Sequence, residues 1–217
     1  MKLLVTAGPT REFLDDVRFL SNASTGRMGC AIAQAAADAG AQVTLVCGPI
    51  SGPLPACDTL VPVTSAEEMR RAVLAGAADA DAVIMAAAVA DYRPAGRVPG
   101  KMRKDEAGLT LPLERTPDIL AELGAQKGRR VLVGFALEAG DDARESALRK
   151  LREKRLDLIV LNRPAAMGAE RASVELLDAS GQGERLENLP KSEIATRLVR
   201  AVAARSARQQ GTAHAEV

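Results

Sequence analysis

The sequence predicts an α/β fold: a doubly wound, Rossmann-like, mostly parallel sheet with an antiparallel hairpin extension at its C-terminal end. Three observations predict it. Short apolar runs alternate with longer helical patterns along most of the chain, the order that builds a parallel sheet covered by helices. The strand-like runs are continuously apolar rather than alternating, as burial on both faces requires. Near the C-terminus the alternation stops, and two strand-like runs flank Ser180-Gly181-Gln182-Gly183, a turn sequence suited to a hairpin.

The elements follow in order. Residues 2–6 read as a buried strand, and the Ala-rich stretch 26–39 reads as a helix stopped by Gly40. A second strand at 42–47 ends at Gly48-Pro49, and a third is expected at 59–63. Ser65 and Glu68 have the spacing of a capping box, each side chain satisfying the other's backbone donor, and open a helix running to about residue 78. Strands are expected at 81–87, 131–136 and 156–161, with a charged helix at about 142–154 between the last two. Thr116-Pro117 reads as the N-cap and first position of another helix. The hairpin strands are 173–177 and 184–189, and a last helix covers about 190–204. Residues 1–206 are thus expected to be a single domain, with 172–189 as an edge hairpin and 207–217 as a disordered tail. Residues 88–116 form a long loop with one short strand at 109–113, and loops of that length in compact domains are usually functional.

Composition narrows the function. The chain has 217 residues, and its net charge of +1 argues against nucleic acid, whose binders carry a concentrated basic excess. Three Phe, one Tyr and no Trp leave no set of stacking platforms for single strands. Cys30, Cys47 and Cys57 are odd in number and contain no Cys-x-x-Cys pair, which speaks for a reducing compartment and against a disulfide framework. The one histidine, His214, lies in the polar tail, so histidine catalysis is not expected. No stretch has the length of a membrane span and no signal pattern opens the chain, so the expected location is the cytoplasm.

Open α/β sheets bind ligands at the carboxyl ends of their strands. Four segments should converge there: 7–10, 48–52, 86–104 and 135–141. The turn Ser21-Asn22-Ala23-Ser24-Thr25-Gly26-Arg27-Met28-Gly29 leads into a helix whose first amides lack partners and favour an anion. Gly26 and Gly29 permit close backbone approach; the turn is either such an anion site or a plain helix N-cap with a packing glycine. Arg18 and Asn22 should lie near that helix start, where a guanidinium grips carboxylate or phosphate and an amide donates to an oxyanion. The charges Arg11, Glu12, Asp15 and Asp16 read as solvated. Asp91 follows a strand end whose alanines, Ala86, Ala87 and Ala88, leave room for a flat ligand; it suits a metal ion or ribose hydroxyl, or caps the next turn. Lys101-Met102-Arg103-Lys104 is either a solvated loop tip or a basic run that closes on a triphosphate. Lys150 and Lys154, at i and i+4, read as a charged surface face.

Together these segments resemble the phosphopantothenate–cysteine ligase family. The resemblance rests on Thr6-Ala7-Gly8-Pro9-Thr10-Arg11-Glu12, Val17-Arg18-Phe19-Leu20-Ser21-Asn22, Ser24-Thr25-Gly26-Arg27-Met28-Gly29, Ala86-Ala87-Ala88-Val89-Ala90-Asp91-Tyr92, Lys101-Met102-Arg103-Lys104, Thr116-Pro117-Asp118-Ile119 and Val133-Gly134-Phe135-Ala136. These motifs stand in the family's order from residue 3 to about 163. The resemblance implies a CTP-dependent enzyme of coenzyme A synthesis that joins 4′-phosphopantothenate to L-cysteine through an acyl-cytidylate. Magnesium is implied, to neutralise the departing pyrophosphate. It further implies that Asn22 contacts the activated acyl group, that Arg18 positions substrate for cysteine attack, and that Lys101 stabilises the triphosphate. Gly26, Arg27, Met28 and Gly29 would hold phosphate. Ala86, Ala87, Ala88, Asp91, Lys104, Pro117, Asp118, Ile119, Leu120, Phe135, Lys150 and Lys154 would form the nucleotide site. A homodimer is implied, as is a flavin-dependent decarboxylase domain or protein as partner. Two positions depart from the family: Phe13 stands where many members carry Pro, and Ala23 where many carry a bulkier polar or basic residue. The second puts contacts to phosphopantothenate in question. Two other readings compete. An NAD(P)-dependent oxidoreductase lacks Gly-x-Gly-x-x-Gly after the first strand, and Tyr92 has no Lys four residues on. A non-catalytic nucleotide-sensing module would bind without turnover.

Overall fold

The computed structural model describes residues 1–103, 108–163 and 170–212. Its frame is one eight-stranded sheet. The central strand β1 (Lys2–Ala7) is flanked by β4 (Gln42–Cys47) and β6 (Ala82–Met85), both parallel to it. On one side the sheet continues from β4 to β5 (Thr59–Pro62). On the other it runs through β9 (Val131–Leu137) and β10 (Leu158–Asn162), also parallel. The hairpin of β11 (Arg171–Asp178) and β12 (Gly183–Pro190) completes that edge antiparallel. The predicted class is therefore the observed one. The sheet strands are continuously apolar because β1, β4, β6, β9 and β10 are buried almost throughout.

Helices cover both faces. On one face α1 (Arg27–Asp38) packs Ile32, Ala33 and Ala36 beside Ile194, Leu198 and Val202 of α5 (Lys191–Thr212). On the other, Met69 and Val73 of α2 (Ala66–Ala77), Ile119 and Leu123 of α3 (Ile119–Ala125), and Ala147 and Leu151 of α4 (Ala143–Glu153) form a second apolar layer. Small residues on α1 let it lie close to the sheet. A Cβ on Gly29 would stand 2.6 Å from both the Ala7 Cβ and the Thr6 carbonyl oxygen. The chain leaves β1 in one direction towards β4 and returns on its other side at β6. The topological switch point thus falls between the carboxyl ends of β1 and β6, where such sheets bind ligands.

Several local expectations change. The excursion after β1 is a small antiparallel ribbon, β2 (Arg11–Phe13) with β3 (Phe19–Ser21). The long loop holds a second ribbon, β7 (Tyr92–Pro94) with β8 (Leu113–Arg115), in place of a strand at 109–113. Three-residue strands are too short to show a period, and their pairing is non-local. The helix expected from Thr116 starts later. Asp118 is its N-cap, accepting the Ala121 amide at 3.0 Å, because the Thr116 hydroxyl is committed to the Ala90 carbonyl at 2.5 Å. Helix α5 runs past residue 204 to Thr212, into the segment expected as a disordered tail. Gln209 reaches Asp157 there, a partner on the far side of the chain. The rest of that tail, 213–217, lies outside the described residues. The capping box at Ser65 and Glu68 forms as expected.

Candidate active site

The site is built outward from β1. Gly8 adopts φ +78°, and Gly26, the N-cap of α1, adopts φ +75°. A side chain at Gly26 would meet Ile50 Cγ2 at 2.5 Å and the Gly8 backbone just beyond 3 Å. Glycine is what lets these two turns touch. No side chain caps α1, so its leading amides face the crevice unfilled by a side-chain cap, the arrangement expected of an anion site.

The end of β6 is stitched to this turn. The Ala88 amide donates to the Gly8 carbonyl at 2.9 Å, and Pro9 and Ala88 form a parallel bridge. The buried hydroxyls of Thr6 and Thr10 accept the amides of Ala87 and Ala90, each at 3.0 Å. The Asn22 amide nitrogen donates to the carbonyls of Ala88 at 3.2 Å and Val89 at 3.0 Å. Both neighbours are acceptors, which fixes which end of the amide faces them. The structure thus brings together Asn22, the turn 26–29 and the alanine segment 86–88. Asp91 follows on the surface with its carboxylate unpartnered among the described residues.

Arg18 stands beside them. Its Nε and Nη2 donate to Asp15 Oδ2 at 2.8 and 2.5 Å, and Nη2 also donates to the Met102 carbonyl at 2.8 Å. Asp15 is fully buried, at 0% exposure. The Arg18 guanidinium, with the amides of Arg18, Val17 and Met102, holds its carboxyl well below the usual carboxylate range. Lys101, next to Met102, is exposed and has no partner among the described residues.

The remaining predicted residues sit on the same edge or near it. Lys154 pairs with Asp118 at 2.7 Å, which brings it to the turn Pro117, Asp118, Ile119, Leu120. Lys150 pairs with Glu138, just beyond β9, and this ammonium lowers the Glu138 carboxyl below its ordinary value. The lysines are therefore engaged rather than solvated. Phe135 is half-buried near the end of β9. Lys104 lies outside the described residues.

Three residues were missed. Asp15 and Glu12 read as solvated, yet Glu12 is buried and accepts the first amide of α2, that of Ala66, at 2.8 Å. Asp15 had a visible signal, since an Asp two and three residues before free amides forms an Asx turn. Glu12 had none, because its partner lies 54 residues away. Lys191, at the start of α5, is held below the usual ammonium range by burial and by the Arg27 charge. Two of the cysteines are poor nucleophiles: burial raises the Cys30 thiol, and burial, reinforced by Cys30 and Cys57, pushes the Cys47 thiol up to about 11. Among the described residues no group of three or more His, Cys, Asp or Glu stands ready to hold a metal.

Chemically, this edge offers an anion cradle and a fixed amide beside a run of alanines, with a clamped guanidinium on the preceding turn and, next to the Met102 it holds, an ammonium without a partner among the described residues. Comparison with known proteins gives the family. The family described as the DNA/pantothenate metabolism flavoprotein C-terminal domain matches residues 1–205. The coenzyme A biosynthesis bifunctional protein CoaBC of Bacillus subtilis (strain 168) is 43% identical over 209 residues, covering 94% of this chain and 51% of that protein. A cysteine/cysteine sulfinic acid decarboxylase from an unknown prokaryotic organism is 41% identical over 207 residues, covering 93% of this chain and 57% of that protein. The chain thus spans about half the length of these curated relatives. The crystal structure of the C-terminal domain of a CoaBC protein superimposes with a TM-score of 0.79 at 39% identity, covering 93% of each chain. On a match that runs through nearly every element described above, the chain belongs to the family of DNA/pantothenate metabolism flavoprotein C-terminal domains.

Proposed function

We propose that this chain is a phosphopantothenate–cysteine ligase acting in coenzyme A biosynthesis. The observation that supports this best is the contact of Asn22 with the end of β6, which sets a carbonyl-seeking amide beside the anion cradle of α1. The likeness to CoaBC proteins over nearly the whole chain supports the same reading.

In the first half-reaction a carboxylate oxygen of 4′-phosphopantothenate attacks the α-phosphorus of CTP and pyrophosphate leaves. In the second the amine of L-cysteine attacks the acyl carbon of the acyl-cytidylate, CMP leaves, and the amine loses a proton as the amide forms. Lys101 would stabilise the triphosphate. Asn22 would turn its amide hydrogens from the Ala88 and Val89 carbonyls to the acyl oxygen as charge develops there. Arg18 would position the substrate for cysteine. Ala86, Ala87, Ala88, Asp91, the turn from Pro117 to Leu120, Phe135, Lys150 and Lys154 would receive the nucleotide. A magnesium ion would neutralise the departing pyrophosphate.

Residues 1–206 would act as one domain in the cytoplasm, as a homodimer. A flavin-dependent decarboxylase would be a natural companion, because the chain covers only about half of its bifunctional relatives. The test is direct. Mixing the protein with magnesium, CTP, phosphopantothenate and cysteine should release pyrophosphate, and CTP should outcompete ATP. Silence with both nucleotides, under conditions that support a known relative, overturns the reading.

A further inference from the structure

The turn Leu14–Arg18 does more than present Arg18. The Leu14 carbonyl accepts the Val98 amide at 2.9 Å, and the Asp16 amide donates to the Gly100 carbonyl at 3.0 Å. Asp16 accepts Arg97 and the Gly100 amide, each at 2.8 Å. Asp15 accepts the Met102 amide at 3.1 Å through the same Oδ2 that grips Arg18. Two consecutive carboxylates therefore fasten the segment 97–102, which carries Lys101, to the turn that carries Arg18.

Charge and burial separate the two. Asp16 is half exposed, at 53%, and among the described residues its carboxylate bonds only to the loop, at Arg97 and Gly100. Asp15 is fully buried and touches both sides. Its hold on Nε and Nη2 leaves Arg18 Nη1 as the guanidinium nitrogen without a partner among the described residues. A forked cation clamped on one edge offers the other edge in a fixed plane. A buried carboxylate with five donors also has little freedom to move.

From this we infer that Asp15 is a positioning residue common to both half-reactions, setting the Arg18 guanidinium for the cysteine step and the Lys101 ammonium for the pyrophosphate step, while Asp16 serves Lys101 alone. The inference rests on the ligase reading. It differs from a structural role in what it predicts for each step separately.

The experiment measures two steps in single turnover. The first is pyrophosphate release from CTP and phosphopantothenate without cysteine. The second is CMP release when cysteine is added to the preformed acyl-cytidylate. Asp15→Asn keeps the size and removes the charge. It should slow both steps by about tenfold to 100-fold, the scale of misplaced catalytic groups. In a Lys101→Ala background the same change should add little to the first step, within about threefold, and still slow the second. Asp16→Asn should slow the first step only. A carboxylate that merely stabilises the fold would lower the melting temperature, leave both rates near wild type, and multiply with Lys101→Ala. That result overturns the inference. If Asp15→Asn does not fold, Asp16→Asn decides: a slowed first step with an intact second supports the latch, and unchanged rates overturn it. Wild-type protein that releases no pyrophosphate removes the ligase reading itself, and the inference with it.

Discussion

At the scale of single residues, the site was legible where chemistry is local and hidden where partners are remote. Asn22 and Arg18 stand out in the sequence because both should lie close to a helix start, a feature written in adjacent residues. Their present partners were not. Asn22 spends its amide hydrogens on two backbone carbonyls 66 and 67 residues away. If those hydrogens turn to the acyl oxygen during reaction, Asn22→Ala should lower turnover by roughly 100-fold to 1,000-fold, the usual loss for one oxyanion donor, and leave CTP affinity within about threefold. Steady-state rates beside calorimetric CTP binding read this out, and unimpaired turnover removes Asn22 from the chemistry. Asp15 allows a pH prediction. Its folded-state carboxyl sits below the unfolded value, so its contribution to stability is present above about pH 4 and is lost progressively as pH falls from there to the lower folded value. The Asp15 carboxyl carbon-13 shift should therefore stay that of the ion from neutral pH down to about pH 4. A midpoint near the ordinary value would mean the Arg18 clamp is absent in solution.

At the scale of elements, long apolar strands and the capped helix α2 were readable because period and punctuation agree within a dozen residues. The ribbons β2–β3 and β7–β8 were not, since three-residue strands carry no period and β7 finds β8 some twenty residues later. The start of α3 was misplaced because Thr116 and Asp118 are both good caps, and only the Ala90 carbonyl decides between them. Helix α1 offers the sharpest test. Gly29→Ala would put a methyl 2.6 Å from backbone and side chain of β1, and neither the Thr6 carbonyl nor the Ala7 Cβ has a flexible end to swing away. The helix must shift outward, which should destabilise the protein by about 1–3 kcal/mol, the cost of overpacking. The same shift moves the amides of Arg27 and Met28, so nucleotide or phosphate affinity should fall with the melting temperature. Loss of stability with unchanged affinity would mean the ligand does not use the α1 amides.

At the scale of the whole molecule, the parallel sheet and its two helical layers follow from the alternation of strands and helices. What alternation does not describe is the surface the two ribbons make together. Val17 and Phe19 on the first, Tyr92 and Leu113 on the second, and Val98 on the loop between are all exposed apolar side chains. Phe19 packs its ring at 5.4 Å from Phe13, and Arg11 and Arg97 lie over these rings, so the aromatic pair is fixed in place. A contiguous patch of exposed apolar groups is the usual mark of a protein contact. If the homodimer forms there, its interface lies against the turn that carries Arg18 and Asn22, and assembly and catalysis should be linked. Sedimentation should then give twice the mass of the 217-residue chain. Replacing Val17 and Leu113 together by Asp, exposed positions whose loss costs the monomer little, should shift the protein to monomer and lower pyrophosphate release per chain by about tenfold or more, because the catalytic turn loses the surface that braces it. A double variant that stays dimeric would place the interface elsewhere, and a monomer with full activity would separate assembly from the chemistry.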